Sequence, residues 1–323
     1  MKQEDIAKAL GLSKTTVSRA LSGKGRISEK TIKCINEYIE RENRKPVIRD
    51  TLTKNICVAL PGDGMMSGNT FFEECLYGAC EAASELDYNV IVVKSTESDI
   101  SQIRKVVEEN KADGFILTRS LENDNALKYL SSINFPVAVA GHCDFDNVIR
   151  VDVDNEGAAR ELTGLMIAKG FRRFTAIFGD LNYKVNGSRR EGFMAAIADN
   201  GLAIGNQFIY SGVVHNEQLN TIANGILGNK TDCILCGDDE TTVKVMSWLK
   251  NEGYRIPKDV AIASMYNSTV LGALTPMVTA VEVPAKSIGN TLSRQLIACL
   301  EKQNFSLNTE AEYEILLRKS TQL

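Results

Sequence analysis

The sequence predicts a small all-α head joined to an α/β body of two doubly wound parallel-sheet lobes, and three observations predict it. Positive charge gathers at one end: residues 1–49 hold 12 Lys and Arg against 6 Asp and Glu, while the remainder holds 25 against 35. In the head, apolar residues follow a helical period interrupted by glycine turns. From Asn55 onward, short apolar runs alternate with helix-period segments, the rhythm of βα units covering both faces of parallel strands. A chain of 323 residues also exceeds what one ordinary hydrophobic core supports.

The first helix shows Ile6, Ala7 and Leu10 on one face. Gly11 suits the left-handed conformation that ends a helix, and Ser13 is placed to cap the next one. That second helix, about Lys14 to Leu21, turns Val17, Ala20 and Leu21 inward and Lys14, Thr15, Ser18 and Arg19 outward. After the Ser22-Gly23-Lys24-Gly25 turn, Ser28 caps a third helix with an apolar stripe of Ile32, Ile35 and Ile39. Two short helices joined by a glycine-containing turn form a helix-turn-helix, whose second helix enters the major groove of DNA. Lys14, Thr15 and Arg19 then face base edges, since Arg matches the paired acceptors of guanine and Thr can meet a thymine methyl. Ser13, Thr16, Ser18 and Lys24 are placed for phosphates.

In the body, Ile56–Leu60 reads as the first strand, followed by a helix with Phe72, Cys75, Leu76, Ala79, Cys80, Ala83 and Leu86 on one face. Strands at 90–93, 114–117 and 137–140 complete a first set. Strands at 175–178, 208–210, 233–236 and 260–264 form a second, each with its intervening helix. Two sheets of about five strands are expected. Domain boundaries follow: headpiece 1–45, linker 46–54, and body 55–323, with a first lobe of about 55–152 and 282–308 and a second of about 153–281 and 309–323. The chain would then cross between lobes near Val153, Val281 and Thr309.

Several function classes lose support. No run reaches the roughly 18 apolar residues of a membrane span, and the N-terminus begins a charged helix instead of an apolar export signal, so a cytoplasmic location is expected. Cys233 and Cys236 have C-x-x-C spacing but lie inside an apolar strand, and the only histidines are His142 and His215; buried thiols, not a metal or redox site, are expected. The turn after the first strand, Pro61-Gly62-Asp63-Gly64, lacks a dinucleotide or P-loop fingerprint. Neither a catalytic constellation nor a cofactor site is expected. Open parallel sheets bind ligands beyond the carboxyl ends of their strands. Those ends offer Asp63, Asn69, Ser95, Arg119, Ser120, His142, Asn182, Asp238, Asp239, Tyr266 and Asn267, a set suited to a polar, sugar-sized ligand between two lobes. Phe71 or Phe72 could supply a stacking face.

The stretch Asp5-Ile6-Ala7-Lys8-Ala9-Leu10-Gly11-Leu12-Ser13-Lys14-Thr15-Thr16-Val17-Ser18-Arg19-Ala20-Leu21 resembles the headpiece pattern of the lactose-repressor (LacI/GalR) family, D-V-A-x-x-A-G-V-S-x-x-T-V-S-R-x-L. The resemblance continues through Ile27–Thr31, Phe135-Pro136-Val137, Val151–Gly157, Arg189–Phe193, Cys236–Asp239, Ile256–Val260 and Pro276–Val281. It implies a body of periplasmic-binding-protein type and assigns base readout to Lys14, Thr15 and Arg19. It also implies that Arg189 reaches the ligand; with Asp63, Phe71, Phe72, Arg119, Asn182, Asp239 and Tyr266 it forms the expected effector set. Two departures stand out. The family's G-x-D-D effector loop reads Ser264-Met265-Tyr266-Asn267, placing Tyr266 where an aspartate is usual. The linker is about five residues short, with Arg44 and Val47 at the positions of the family's Tyr and Asn. Only Leu52 could serve there as the minor-groove wedge, and with Thr51 and Thr53 beside it no standard hinge helix is expected.

The resemblance implies a homodimeric repressor that binds a near-palindromic operator and responds to a sugar or sugar derivative. The dimer contact is expected on the face near Glu73–Glu85. A solute receptor without a DNA role is the alternative that the body alone would suggest.

Overall fold

A computed structural model describes residues 3–23, 25, 27–43, 48, 51–62, 70–212 and 216–322. In the head, α1 (Gln3–Leu10), α2 (Lys14–Ser22) and α3 (Glu29–Asn43) pack Ile6, Ala7, Val17 and Ile35 into a small core. Gly11 and Gly23 take positive φ, 64° and 65°, where a β-carbon would clash with the following carbonyl. The Ser13 side chain caps α2 by accepting from the Thr16 N–H at 3.0 Å, and Ser28 Oγ accepts from the Thr31 N–H at 3.1 Å ahead of α3.

The body contains two six-stranded sheets. Its first segment runs β1 (Asn55–Pro61), α4 (Thr70–Glu85), β2 (Asn89–Ser95), α5 (Ser101–Glu108), β3 (Gly114–Leu117), α6 (Asn125–Ser132), β4 (Val137–Ala140) and β5 (Ile149–Val153). The second runs α7 (Asn155–Ala168), β6 (Phe174–Phe178), α8 (Lys184–Asp199), β7 (Phe208–Ser211), α9 (Asn216–Asn229), β8 (Cys233–Cys236), α10 (Asp239–Asn251), β9 (Ala261–Ser264), α11 (Thr269–Ala273) and β10 (Thr279–Glu282). The chain then returns to the first lobe as α12 (Ala285–Leu300) and β11 (Asn308–Ala311), and ends in the second with β12 (Glu314–Leu316).

Strand order is β11-β5-β4-β3-β1-β2 in one sheet and β12-β10-β9-β8-β6-β7 in the other. Both faces are covered, so successive residues of one strand enter different cores: Ile56, Val58 and Leu60 lie with α4 and α12, whereas Cys57 and Ala59 lie with α5 and α6. That is why the strands read as unbroken apolar runs. The same alternation sends Cys233 and Cys236 to opposite faces of β8. Both are fully buried and burial pushes both thiols up, so the pair cannot chelate jointly.

Three corrections to the expected architecture emerge. Each sheet has six strands, because β5 pairs with β4, β10 pairs with β9, and the C-terminal strands add one edge apiece. The last crossing falls after Ala311, since residues 308–311 pair with β5 in the first sheet. Finally, β12 is antiparallel to β10. The direction is forced: β10 leads out of the second lobe, while β12 leads back into it. Because β5 exits the first lobe and β10 exits the second, the carboxyl ends of both sheets face one cleft.

Leu52 and Ile48 pack against the body core. The Thr53 and Lys54 N–H groups donate to the Asp113 carboxylate at 3.0 and 2.9 Å, and Lys54 Nζ reaches Glu301 at 2.5 Å. Leu52 is therefore anchored inward on the body and is not displayed as a wedge. Residues 44–47, 49 and 50, where a hinge would start, lie outside the described residues.

Candidate DNA-reading helix and inter-lobe cleft

On α2, burial of Val17 orients the opposite face outward: Ser13, Lys14, Thr15 and Arg19 are exposed, Thr16 and Ser18 half-buried. Lys14 pairs with Glu4 of α1, an exposed contact that a phosphate or base could displace at small cost. The Arg19 stem runs beside Gly25. Lys24 lies outside the described residues.

Between the lobes is a cleft of about 960 Å³, a volume that includes space open to solvent. Each sheet reverses its winding between two neighbouring strands, β1 and β3 in the first, β6 and β8 in the second, and a doubly wound sheet opens a crevice at that point. Arg119 follows β3 at the first reversal, its Nη2 donating to the Ser95 carbonyl at 2.8 Å. Arg189, on the second turn of α8, reaches the other reversal, with Nη1 donating to the Gly237 carbonyl at 2.8 Å. Phe71 and Phe72 come from the first turn of α4, and Tyr266 from the loop after β9. Phe71 meets both Phe72 and Tyr266 edge-on, with ring centroids 5.7 and 6.0 Å apart.

Of the expected effector residues, Phe71, Phe72, Arg119, Arg189 and Tyr266 line this cleft, as do Ser120, His142 and Asp238. Asp63 lies outside the described residues. Asn182 is not in the lining; its amide donates to Glu97 Oε2 at 2.9 Å and its carbonyl accepts from the Glu122 N–H at 2.9 Å, so it ties one lobe to the other. Asp239 lies behind the lining, because Asp238 takes the cap position of α10, accepting from the Thr241 N–H at 2.7 Å, and Asp239 begins the helix. Lys184, Ser188, Asp152 and Asn155 line the cleft without having been singled out. Lys184 and Ser188 are one helical turn apart on α8, a spacing that places them on one face beside Arg189.

Burial governs the charges here. Arg189 is drawn down to about 10 by desolvation, against the opposing pull of Asp238, Tyr266 and Asp239. Desolvation holds the Tyr266 phenol far above its ordinary range, so it stays neutral. Asp239 is pushed up to about 6, chiefly by burial, against a smaller lowering from the nearby Ser268 hydroxyl. Thr70 Oγ1 donates to Asp239 Oδ2 at 3.3 Å, across the lobes. Since the folded-state value of Asp239 exceeds its ordinary 3.8, the folded chain holds a proton between about pH 4 and 6 that the unfolded chain has released. Relative to Asp239→Asn, the wild type should therefore lose melting temperature as pH rises through that window. The gap should be constant above it; a gap independent of pH throughout would refute the assignment.

The family described as periplasmic binding proteins and sugar-binding domain of LacI family matches residues 53–314, and that described as bacterial regulatory proteins, lacI family, matches residues 3–46. The chain belongs to the LacI family. As a LacI-family protein it is a transcriptional regulator, with a DNA-binding headpiece and a body of the sugar-binding type. The regulator RegA of Clostridium saccharobutylicum is 26% identical, with 98% of each chain covered. Catabolite control protein A of Staphylococcus aureus is 26% identical over 96% of this chain and 97% of its own. Among solved structures, a transcriptional regulator CelR–cellobiose complex superposes with a TM-score of 0.75 at 22% identity, covering 99% of each chain; at that identity the likeness concerns the fold. No helix among the described residues is long and apolar enough to cross a membrane.

Proposed function

We propose that this LacI-family chain is a cytoplasmic, homodimeric repressor that reads a near-palindromic operator and changes affinity when a small polar ligand occupies the inter-lobe cleft. The observation that supports it best is the exposed Lys14-Thr15-Arg19 face of α2, on a Ser-capped helix after a glycine turn, in the same chain as a cleft lined from two lobes. Lys14, Thr15 and Arg19 read base edges, while Ser13, Thr16, Ser18 and Lys24 hold phosphates. In the cleft, Phe71, Phe72 and Tyr266 supply apolar faces and Arg119, Arg189 and Asp238 supply hydrogen bonds, the mixture that sugar-like ligands require. The ligand acts through its differential affinity for open and closed lobes. The dimer uses the outward face of α4, where Glu73, Tyr77 and Glu81 recur at helical spacing and Tyr77 is 74% exposed; a twofold dimer matches a twofold site.

The test is selection of genomic DNA fragments by the purified chain at moderate salt. A recurrent near-palindrome is expected, with affinity falling on the order of a thousandfold between low and physiological salt as phosphate contacts release counterions. Recovery of fragments without a common sequence, or binding insensitive to salt, would end the proposal.

A further inference from the structure

Two arginines line the cleft from opposite lobes, and each is only 8% exposed. A buried guanidinium ordinarily sits against a carboxylate, because an unpaired charge away from water is costly. Neither of these does so among the described residues. Among the described residues, Arg119 makes one hydrogen bond, to the Ser95 carbonyl, and its Nη1 is buried with no partner. Arg189 likewise bonds only the Gly237 carbonyl. Carboxylates act on them from a distance: Asp124 on Arg119, Asp238 and Asp239 on Arg189. Asp124 is committed to capping α6, accepting from the Leu127 N–H at 2.8 Å, and Asp238 caps α10. Lys184 adds a third cation to the lining, shared with Asp144 at 2.6 Å outside it. Among the described lining residues the acids are Asp152 and Asp238, fewer than the three cations.

We infer that the cleft takes an anionic sugar, a polyhydroxylated body bearing one carboxylate or phosphate, and that the Arg119 guanidinium, which lacks a carboxylate partner among the described residues, binds its anionic group. This rests on the proposed regulatory reading and names the ligand class for it. The two-lobed placement explains the polarity of the remainder. An oxyanion bound to Arg119 beside Ser120 and His142 leaves the sugar body toward Phe71, Tyr266 and Asp238, where ring faces meet apolar side chains and hydroxyls meet an acceptor. Both carboxylates and phosphates satisfy the same charge-assisted donors, so the ligand's anionic group is defined by shared chemistry.

The experiment is calorimetric titration of the full chain with hexuronates, hexose phosphates, the parent hexoses and inorganic phosphate. At least one anionic sugar should bind about tenfold or more tightly than its parent hexose, and Arg119→Gln should bring the two within about threefold. Arg119→Lys, which keeps the charge, should retain part of the preference, and melting of each variant without ligand reports folding separately. Preference for uronates alone identifies a carboxylate; hexose phosphates, with inorganic phosphate competing, identify a phosphate. Parent hexoses binding as well as every anionic counterpart, a preference intact in Arg119→Gln, or no binding by any probe would each overturn the inference. If genomic selection still yields a palindrome in that event, only the ligand class falls; if selection fails as well, the regulatory reading falls with it.

Discussion

Arg19→Met should remove most discrimination between the selected operator and unrelated DNA. Arg19 is exposed on α2, opposite buried Val17, with its stem beside Gly25, a placement that lets its fork reach a guanine edge. Losing one such bidentate contact costs about 1–3 kcal/mol. A dimer on two half-sites loses it twice, so operator affinity should fall by at least about thirtyfold and by on the order of a thousandfold at the middle of that range. Competition gel shifts with operator and scrambled duplex measure it. The salt dependence should change little, because base contacts release few counterions, whereas Lys24→Gln should weaken both duplexes alike and flatten the slope. If Arg19→Met weakened both duplexes equally, Arg19 would be a phosphate contact and the base-reading assignment would be wrong.

The second large effect is on stability. Helices α4 and α12 approach so closely that a β-carbon on Gly78 would overlap the Lys286 carbonyl oxygen, and one on Gly289 the Cys75 carbonyl oxygen. Both obstacles are backbone, which cannot swing aside. Gly78→Ala or Gly289→Ala must therefore part the helices, at a cost of about 3 kcal/mol or more, the upper end of overpacking penalties. The melting temperature should fall by roughly 6–12 °C. Gly164, inside α7 with open space where its β-carbon would stand, is the matched control. There alanine should stabilise by about 0.5–1 kcal/mol, because it removes only glycine's entropy cost. Chemical denaturation would decide, and a Gly78→Ala variant within about 1 kcal/mol of wild type would mean that the two helices slide apart freely.

Much of this architecture was legible in the residues, for identifiable reasons. Sheets covered on both faces demand apolar residues at every strand position, so β1, β3, β4, β6, β8 and β9 announce themselves. Edge strands need only one apolar face: β11 reads Asn308-Thr309-Glu310-Ala311, with no apolar run. Such a segment becomes a strand through the partner that pairs with it, which local pattern does not reveal. In the cleft, Arg189, inside α8, was reached only through the family resemblance, whereas the rule that ligand groups cluster at strand carboxyl ends located Arg119, Asp238 and Tyr266 but could not resolve direction within a turn. Hence Asn182 bridges the lobes and Asp239 lies behind Asp238, one residue's rotation deciding each. Lys184 went unnoticed because α8 carries charge around much of its first turns, leaving no polar face to distinguish.

The late returns of the chain have a consequence for synthesis on the ribosome. The first sheet lacks α12 and β11 until residue 311 has been made, and the second lacks β12 until residue 316. The headpiece is finished after residue 43 and packs a core of its own. For most of translation, a nascent chain therefore carries an assembled nucleic-acid-reading module ahead of two unfinished sheets, each awaiting an edge supplied by the final stretch. Domains that fold from the N-terminus onward usually emerge one at a time; here both lobes close almost together. A ribosome that stops short of residue 308 leaves two open sheet edges, the kind of surface that chaperones and proteases recognise. Completion of the sensing body thus becomes a checkpoint on the whole regulator.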